Sequence, residues 1–184
     1  LFTASEGRVM VGADLSGIEL RMLAHYLGAY DGGRYADILL NGDIHQVNAD
    51  KIGISRRQVK TVSYAYLYGA GNIKLGLSYD NSLNERQASK KGKEIREAFV
   101  AGGWLKAIDG RRVLVDSPHK ALNYLLQCSA GIVAKRWMVI ADDGIQYHPH
   151  THQLAFVHDE LQYETTPDGA EILASILTEA AKLA

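Results

Sequence analysis

Residues 153–165 read Gln153-Leu-Ala-Phe-Val-His-Asp-Glu-Leu-Gln-Tyr-Glu-Thr165. Two strand-forming runs, over residues 153–157 and 160–165, flank the pair His158-Asp159, and this spacing predicts a β-hairpin with a tight turn. The turn brings Asp159 and Glu160 into an otherwise apolar stretch. A carboxylate there is costly to desolvate unless a cation or a hydrogen-bond donor meets it. Far upstream, residues 8–13 (Arg-Val-Met-Val-Gly-Ala) form a second apolar strand that ends at Asp14. Taken singly, Asp14 reads as a helix cap and Asp159 as a turn residue. Taken together, they are two carboxylates at strand ends, able to hold a pair of divalent metals about 3.5–4 Å apart.

Between them lies Arg56-x-x-x-Lys60-x-x-x-Tyr64-x-x-x-Tyr68-Gly69. Ser55 followed by Gln58 fits a capping box, and the helix it opens runs to residue 68 before Gly69 and Gly71 end it. Positions i, i+4, i+8 and i+12 make one slowly drifting stripe. Arg56 and Lys60 fall in the first two turns, where the backbone amides and the helix dipole already favour anions. A solvated basic face with tyrosines in the core would place cations and rings on opposite sides; here they share one stripe. Such a stripe holds phosphates with its cations and stacks a base on its rings.

The remaining pattern predicts helices over residues 18–28 and 34–40, a turn at Asn41-Gly42-Asp43, and a helical, charged connection over residues 72–100. A strand over residues 111–115 follows the Asp109-Gly110 turn. Ser117-Pro118 opens a long helix to residue 143, and Thr166-Pro167 opens a last amphipathic one.

The chain has 184 residues, an apolar fraction of 47% and a net charge of −1. It therefore has ample material for a core and is not basic overall, so positive charge acts locally, at Arg56, Arg57 and Lys60 among other clusters. Lys90, Lys91 and Lys93 read as a solvated helix face. The lone Cys128 reads as a buried thiol of a reducing compartment. With no signal peptide and no membrane-length apolar stretch, the chain is expected to be soluble and cytoplasmic, with no membrane partner. His148-Pro-His-Thr-His152 resembles metal-binding tracts, but no cysteine or acidic ligand lies beside it, and it reads as a polar loop.

The three segments around Asp14, Lys60 and Asp159 resemble motifs A, B and C of the family A (DNA polymerase I-like) DNA polymerases. Gly12-Ala-Asp-Leu-Ser-Gly17, Asn41-Gly-Asp-Ile-His45, Leu67-Tyr-Gly-Ala-Gly71 and Ser117-Pro-His-Lys-Ala-Leu-Asn123 are similar to the bacteriophage branch of that family. The resemblance runs almost end to end, in family order. It implies an α+β fold, a palm of small antiparallel sheet backed by helices with a helical fingers insert. The palm would take residues 1–33 and 101–184, and the fingers residues 34–100.

The resemblance also implies roles. Asp14, Asp159 and the Leu15 carbonyl match the ligands of two Mg2+ ions, and Glu160 the neighbouring acidic residue. Arg56 and Lys60 match the residues that grip the incoming deoxynucleoside triphosphate, with Lys60 the candidate proton donor to pyrophosphate. His45 matches a further phosphate contact. Ser16 and Gly17 belong to the same nucleotide-binding motif. Glu19 matches the gate that crowds a ribose 2′-hydroxyl, and Tyr64 the ring beside the sugar. Tyr68, Gln127 and Asn123 match contacts to primer-template DNA, and Arg21 and His158 support the site. The implied activity is template-directed DNA synthesis in replication, in the cytoplasm of a bacterial host if phage-encoded, with a processivity factor or other replisome proteins reached through segments absent here.

The alternatives are a single-subunit RNA polymerase, which Glu19 and Tyr64 argue against, and a catalytically silent nucleic-acid-binding palm. The family's thumb lies upstream of the first residue here. The phage pattern carries several tens of residues between Val100 and Trp104 that this chain lacks, and a C-terminal segment beyond Ala184.

Overall fold

The computed structural model of this protein describes residues 3–79, 87, 105–115 and 120–184. Along the chain, β1 (Val9–Asp14) leads into α1 (Ile18–Asp31), α2 (Arg34–Asn41), α3 (Ile44–Ile52), α4 (Arg56–Leu67) and α5 (Asn72–Tyr79). The short strands β2 (Leu105–Lys106) and β3 (Arg112–Val113) follow. Then come α6 (Ala121–Ile145), β4 (His152–Val157), β5 (Glu160–Thr165), a 3-10 turn at Pro167–Gly169 and α7 (Ala170–Leu183). This is a mixed α+β chain with small antiparallel sheets. It divides into two compact units, Leu1–Glu19 with Ser129–Ala184, and Leu20–Cys128. No helix among the described residues is long and apolar enough to cross a membrane.

The first unit is built on a three-stranded antiparallel sheet of order β1-β5-β4. Alternation along a strand gives the sheet two chemically different faces. Val11 and Ala13 of β1, with Leu161 and Tyr163 of β5, turn inward to Trp137, Ala141 and Ile145 of α6 and Leu173, Leu177 and Ala180 of α7. Burying each of the larger apolar side chains contributes about 1.5–3 kcal/mol. The Trp137 indole N–H donates to the Leu177 carbonyl at 2.8 Å, so the one polar atom of that ring is satisfied within the core. Gly144 brings α6 close to α7, for a Cβ there would meet Ile176 Cγ2 at 2.8 Å.

The other face of the sheet carries Gly12 and Asp14 of β1 and Glu160 and Gln162 of β5. In register, Gly12 lies opposite Gln162 and Asp14 opposite Glu160. At the far end of β5, Glu164 is covered by the N-terminal segment: Arg8 ion-pairs with it at 2.6 Å and the Ser5 amide donates to it at 2.8 Å. The hairpin pairs as expected from the sequence, with one addition, a register shift between Gln153 and Ala155. The last helix does not start directly at Pro167. A 3-10 turn intervenes, the Thr166 side chain makes no cap bond, and α7 begins at Ala170.

In the second unit, α4 packs between α3 and α5. Ile44 and Ala49 of α3 and Val59, Val62 and Leu67 of α4 are buried. The capping box forms: the Gln58 amide donates to Ser55 Oγ at 3.3 Å and the Ser55 amide to Gln58 Oε1 at 3.1 Å. Gly69 then turns left-handed at φ 70° to end the segment. The sequence reading assigned no helix to residues 44–52. Asp43 starts it by accepting the amides of His45 and Gln46, and Gly53 ends it with φ 75°. The strand expected over residues 111–115 is only Arg112–Val113, and its partner Leu105–Lys106 was not foreseen. The expected Ser117-Pro118 helix start, the Lys90–Lys93 run and most of the expected connection over residues 72–100 lie outside the described residues.

Candidate active site: a carboxylate face and a basic helix

The carboxylates of the first unit gather where β1 and β5 meet the hairpin turn. Asp14 is the last residue of β1 and faces Glu160, the first of β5. The Leu15 amide donates to the Asp159 carbonyl at 3.1 Å, which closes the end of the sheet. Asp14 and Asp159, from opposite ends of the sequence, are thereby neighbours. His158 turns the hairpin at φ 57°, the only non-glycine with positive φ among the described residues. A left-handed conformation costs a non-glycine residue roughly 1–2 kcal/mol.

Partial burial, and then the charges of Asp159, Glu160 and Glu19, raise the Asp14 carboxyl above its ordinary value. Every charge named there is negative, so a divalent cation would relieve the repulsion. Among the described residues no group of three or more His, Cys, Asp or Glu side chains is gathered to hold an ion. A pair of aspartates nevertheless suits Mg2+, which is usually bound by one or two carboxylates together with substrate phosphates and waters. The Leu15 carbonyl already accepts the Ile18 amide at 3.2 Å, leaving it one lone pair. Ser16 and Gly17 form the turn between β1 and α1, where Gly17 takes φ 62°. Glu19 follows in the first turn of α1.

The second unit holds the basic stripe. Arg56 and Lys60 are exposed on α4, and Tyr64 is half-buried. The Tyr64 and Tyr68 rings stack at 6.0 Å with an interplanar angle of 22°. His45 joins them, its ring 6.2 Å from that of Tyr64. Arg56 Nε donates to Asp43 at 2.6 Å, and this bond is the chief reason the Asp43 carboxyl lies below its ordinary value. Burial, followed by the positive charges of Arg56 and Lys60 and opposed by Asp43, lowers the His45 imidazole from 6.5. Its Nδ1 is buried and has no hydrogen-bond partner among the described residues. Such an atom beside two cations suits an anion that brings its own oxygens.

Asn123 and Gln127 lie one turn apart on α6, Gln127 exposed and Asn123 half-buried. Arg21 is exposed on α1. His148 and His150 sit in the turn after α6, while His152 opens β4. Sequence reasoning missed Asp43 and Tyr35 as members of this region. Tyr35, pushed up to about 12 by burial and by Tyr64, lies beside the aromatic stripe. Asp43 had a usable signal, a good N-cap residue two positions before His45.

The sequence is 34% identical over 194 residues to the DNA-directed DNA polymerase of Escherichia phage T7, covering 84% of this chain and 27% of that protein. The enzyme of the same name from Enterobacteria phage T3 is 33% identical, with the same coverage. DNA polymerase I of Aquifex aeolicus (strain VF5) is 27% identical over 218 residues, covering 100% of the chain and 37% of the relative. That alignment is longer than the 184 residues of the chain, so the relative carries positions with no counterpart here. No family model matches the chain. The chain spans only 27–37% of the length of these relatives.

Proposed function

We propose that this chain, which belongs to the DNA polymerase I-like (family A) DNA polymerases in their bacteriophage branch, carries out template-directed DNA synthesis as part of a DNA polymerase enzyme. Residues 1–33 and 101–184 are assigned to the palm and residues 34–100 to the fingers. The observation that carries the reading is the meeting of Asp14 with Asp159 and Glu160 at one end of the sheet. It supports a cation site where the resemblance requires one.

In the proposed reaction a primer 3′-hydroxyl attacks the α-phosphate of a deoxynucleoside triphosphate, a new P–O bond forms, and pyrophosphate leaves. Asp14, Asp159 and the free lone pair of the Leu15 carbonyl would hold two Mg2+ ions, which supply charge stabilisation to the attacking and leaving oxygens. Arg56 binds phosphate through the guanidinium nitrogens that Asp43 does not occupy. Lys60 neutralises charge on the leaving group and gives it a proton. His45 contacts phosphate through its unpartnered Nδ1. Glu19 and Tyr64 select the sugar. Tyr68, Asn123 and Gln127 contact primer-template DNA, with Arg21 and His158 in support. The setting is replication in the cytoplasm of a bacterial host, and partners such as a processivity factor would act through other segments of the protein.

Magnesium-dependent primer extension by the complete gene product, with deoxy- and ribonucleotides offered in parallel, tests this. Asp14→Asn and Asp159→Asn each keep side-chain size while removing charge. Each is expected to abolish extension and to leave primer-template binding intact. Wild-type turnover in both variants would overturn the metal assignment. Preference for ribonucleotides would favour the RNA polymerase alternative.

A further inference from the structure

On the exposed face of the sheet, Gly12 and Gln162 form the rung next to Asp14 and Glu160. The Gln162 side-chain amide donates to Glu160 Oε1. The same amide lies over Gly12 so closely that a Cβ there would meet Gln162 Nε2 at 2.7 Å, Oε1 at 3.1 Å and Cδ at 3.2 Å. Gly12 has no positive φ to explain a glycine, as Gly7 and Gly17 have. What glycine provides at this position is room for the Gln162 amide.

We infer that Gln162, seated over Gly12, is a positioning residue that draws the Glu160 carboxylate back along β5, away from the end of the sheet where Asp14 and Asp159 lie. The direction follows from the register. Glu160 belongs to the Asp14 rung, while its hydrogen-bond donor sits on the Gly12 rung. Among the described residues Asp14, Asp159 and Glu160 do not form a three-ligand metal group, although Glu160 is close enough to act on the Asp14 charge. A third carboxylate in the pair would take coordination positions that substrate phosphate and water need. The inference rests on the proposed reading of Asp14 and Asp159 as metal ligands.

The test uses the complete gene product and Mn2+ as the probe, titrated by calorimetry without nucleotide, beside primer extension. Gln162→Ala frees Glu160 to join the pair. Cation binding is expected to tighten roughly tenfold while turnover falls by a similar factor, a size within the range by which residues outside the ligand set alter metal sites. The nucleotide KM should not change. Gly12→Ala displaces only the end of a flexible side chain and leaves the strand intact, so it should reproduce both changes with an unaltered melting temperature. It should add nothing in the Gln162→Ala background. Glu160→Gln combined with Gln162→Ala should return cation binding to the wild-type level. Unchanged or weaker Mn2+ binding in Gln162→Ala, or additive effects of the Gly12 and Gln162 changes, would overturn the inference. Asp14→Asn separates the two ideas. If it leaves Mn2+ binding intact, the metal reading itself fails. If it abolishes binding while Gln162→Ala is silent, only the role of Gln162 fails.

Discussion

Asp43 divides its carboxylate between two tasks: one oxygen takes Arg56 Nε at 2.6 Å, and the other accepts the amides of His45 and Gln46 at 3.0 and 3.1 Å. A single side chain therefore orients the arginine of the basic stripe and starts the helix that carries His45. Two of the proposed phosphate contacts, Arg56 and His45, depend on it, so its two tasks should separate by mutation.

Asp43→Asn keeps an excellent helix cap and discards the charge that holds Arg56. The melting temperature should move little, because exposed ion pairs contribute little to stability. Without its orienting partner, Arg56 should grip the triphosphate less well, raising the nucleotide KM roughly fivefold with kcat nearly unchanged. Asp43→Ala should add a measurable loss of stability, since the cap goes too. Steady-state kinetics and thermal melts on the two variants check this. An unchanged KM in Asp43→Asn would remove the orienting role.

The proposed phosphate contact of His45 predicts that nucleotide binding is sensitive to pH. Its imidazole titrates below 6.5 in the folded protein, because burial and the cations Arg56 and Lys60 disfavour its charged form. The unfolded chain thus binds more protons in that window. Stability from this residue is present above pH 6.5 and lost as pH falls through the lowered value. A triphosphate bound as proposed would reverse the local field and raise the imidazole again. Nucleotide binding should then take up protons and tighten as pH drops from neutrality toward 6. Calorimetry in buffers of different ionisation enthalpy reads the proton uptake directly. His45→Gln should abolish it; a wild-type enzyme with no proton uptake would contradict the contact.

The sugar assignments predict changes in selectivity more than in rate. Glu19→Ala opens space for a 2′-hydroxyl, so the ratio of ribonucleotide to deoxynucleotide incorporation should rise by at least tenfold, or about 1.4 kcal/mol of discrimination. Tyr64→Phe keeps the ring stacked on Tyr68 but removes its hydroxyl. Dideoxynucleotides should then be used less readily. Competition assays with paired nucleotides measure both, and unchanged ratios would exclude the two residues from sugar selection.

What the sequence disclosed and what it withheld have physical causes. The hairpin at His158-Asp159 and the helix at Ser55 were legible because their signals are local, a period-two pattern around a tight turn and a capping box. The helix over residues 44–52 was missed because its apolar residues alternate irregularly with polar ones, and only Ile44 and Ala49 are buried. The pairing of β1 with the central strand β5 joins distant segments, so no local pattern announces it. The Gly12–Gln162 contact depends on that register and was invisible for the same reason. Asp14 and Asp159 stood out as carboxylates at strand ends and by resemblance, whereas the bond from Arg56 to Asp43 depends on how α3 and α4 pack, which no local pattern announces.

The core of the first unit offers a test of stability independent of any activity. Trp137 is 1% exposed, and its indole N–H donates to the Leu177 carbonyl. Trp137→Phe keeps an aromatic ring but loses that hydrogen bond, which the Leu177 carbonyl makes beside its own helical one, and opens a void beside α7. The lost hydrogen bond costs about 0.5–1.5 kcal/mol, and the smaller ring adds a cavity term. Leu177→Ala keeps the backbone carbonyl and removes apolar volume alone, at about 2–5 kcal/mol. Because both act on one contact between α6 and α7, the double variant should lose less than the two single losses together. Urea unfolding of the four proteins measures this directly. Strict additivity would mean that Trp137 and Leu177 do not stabilise the unit as a pair.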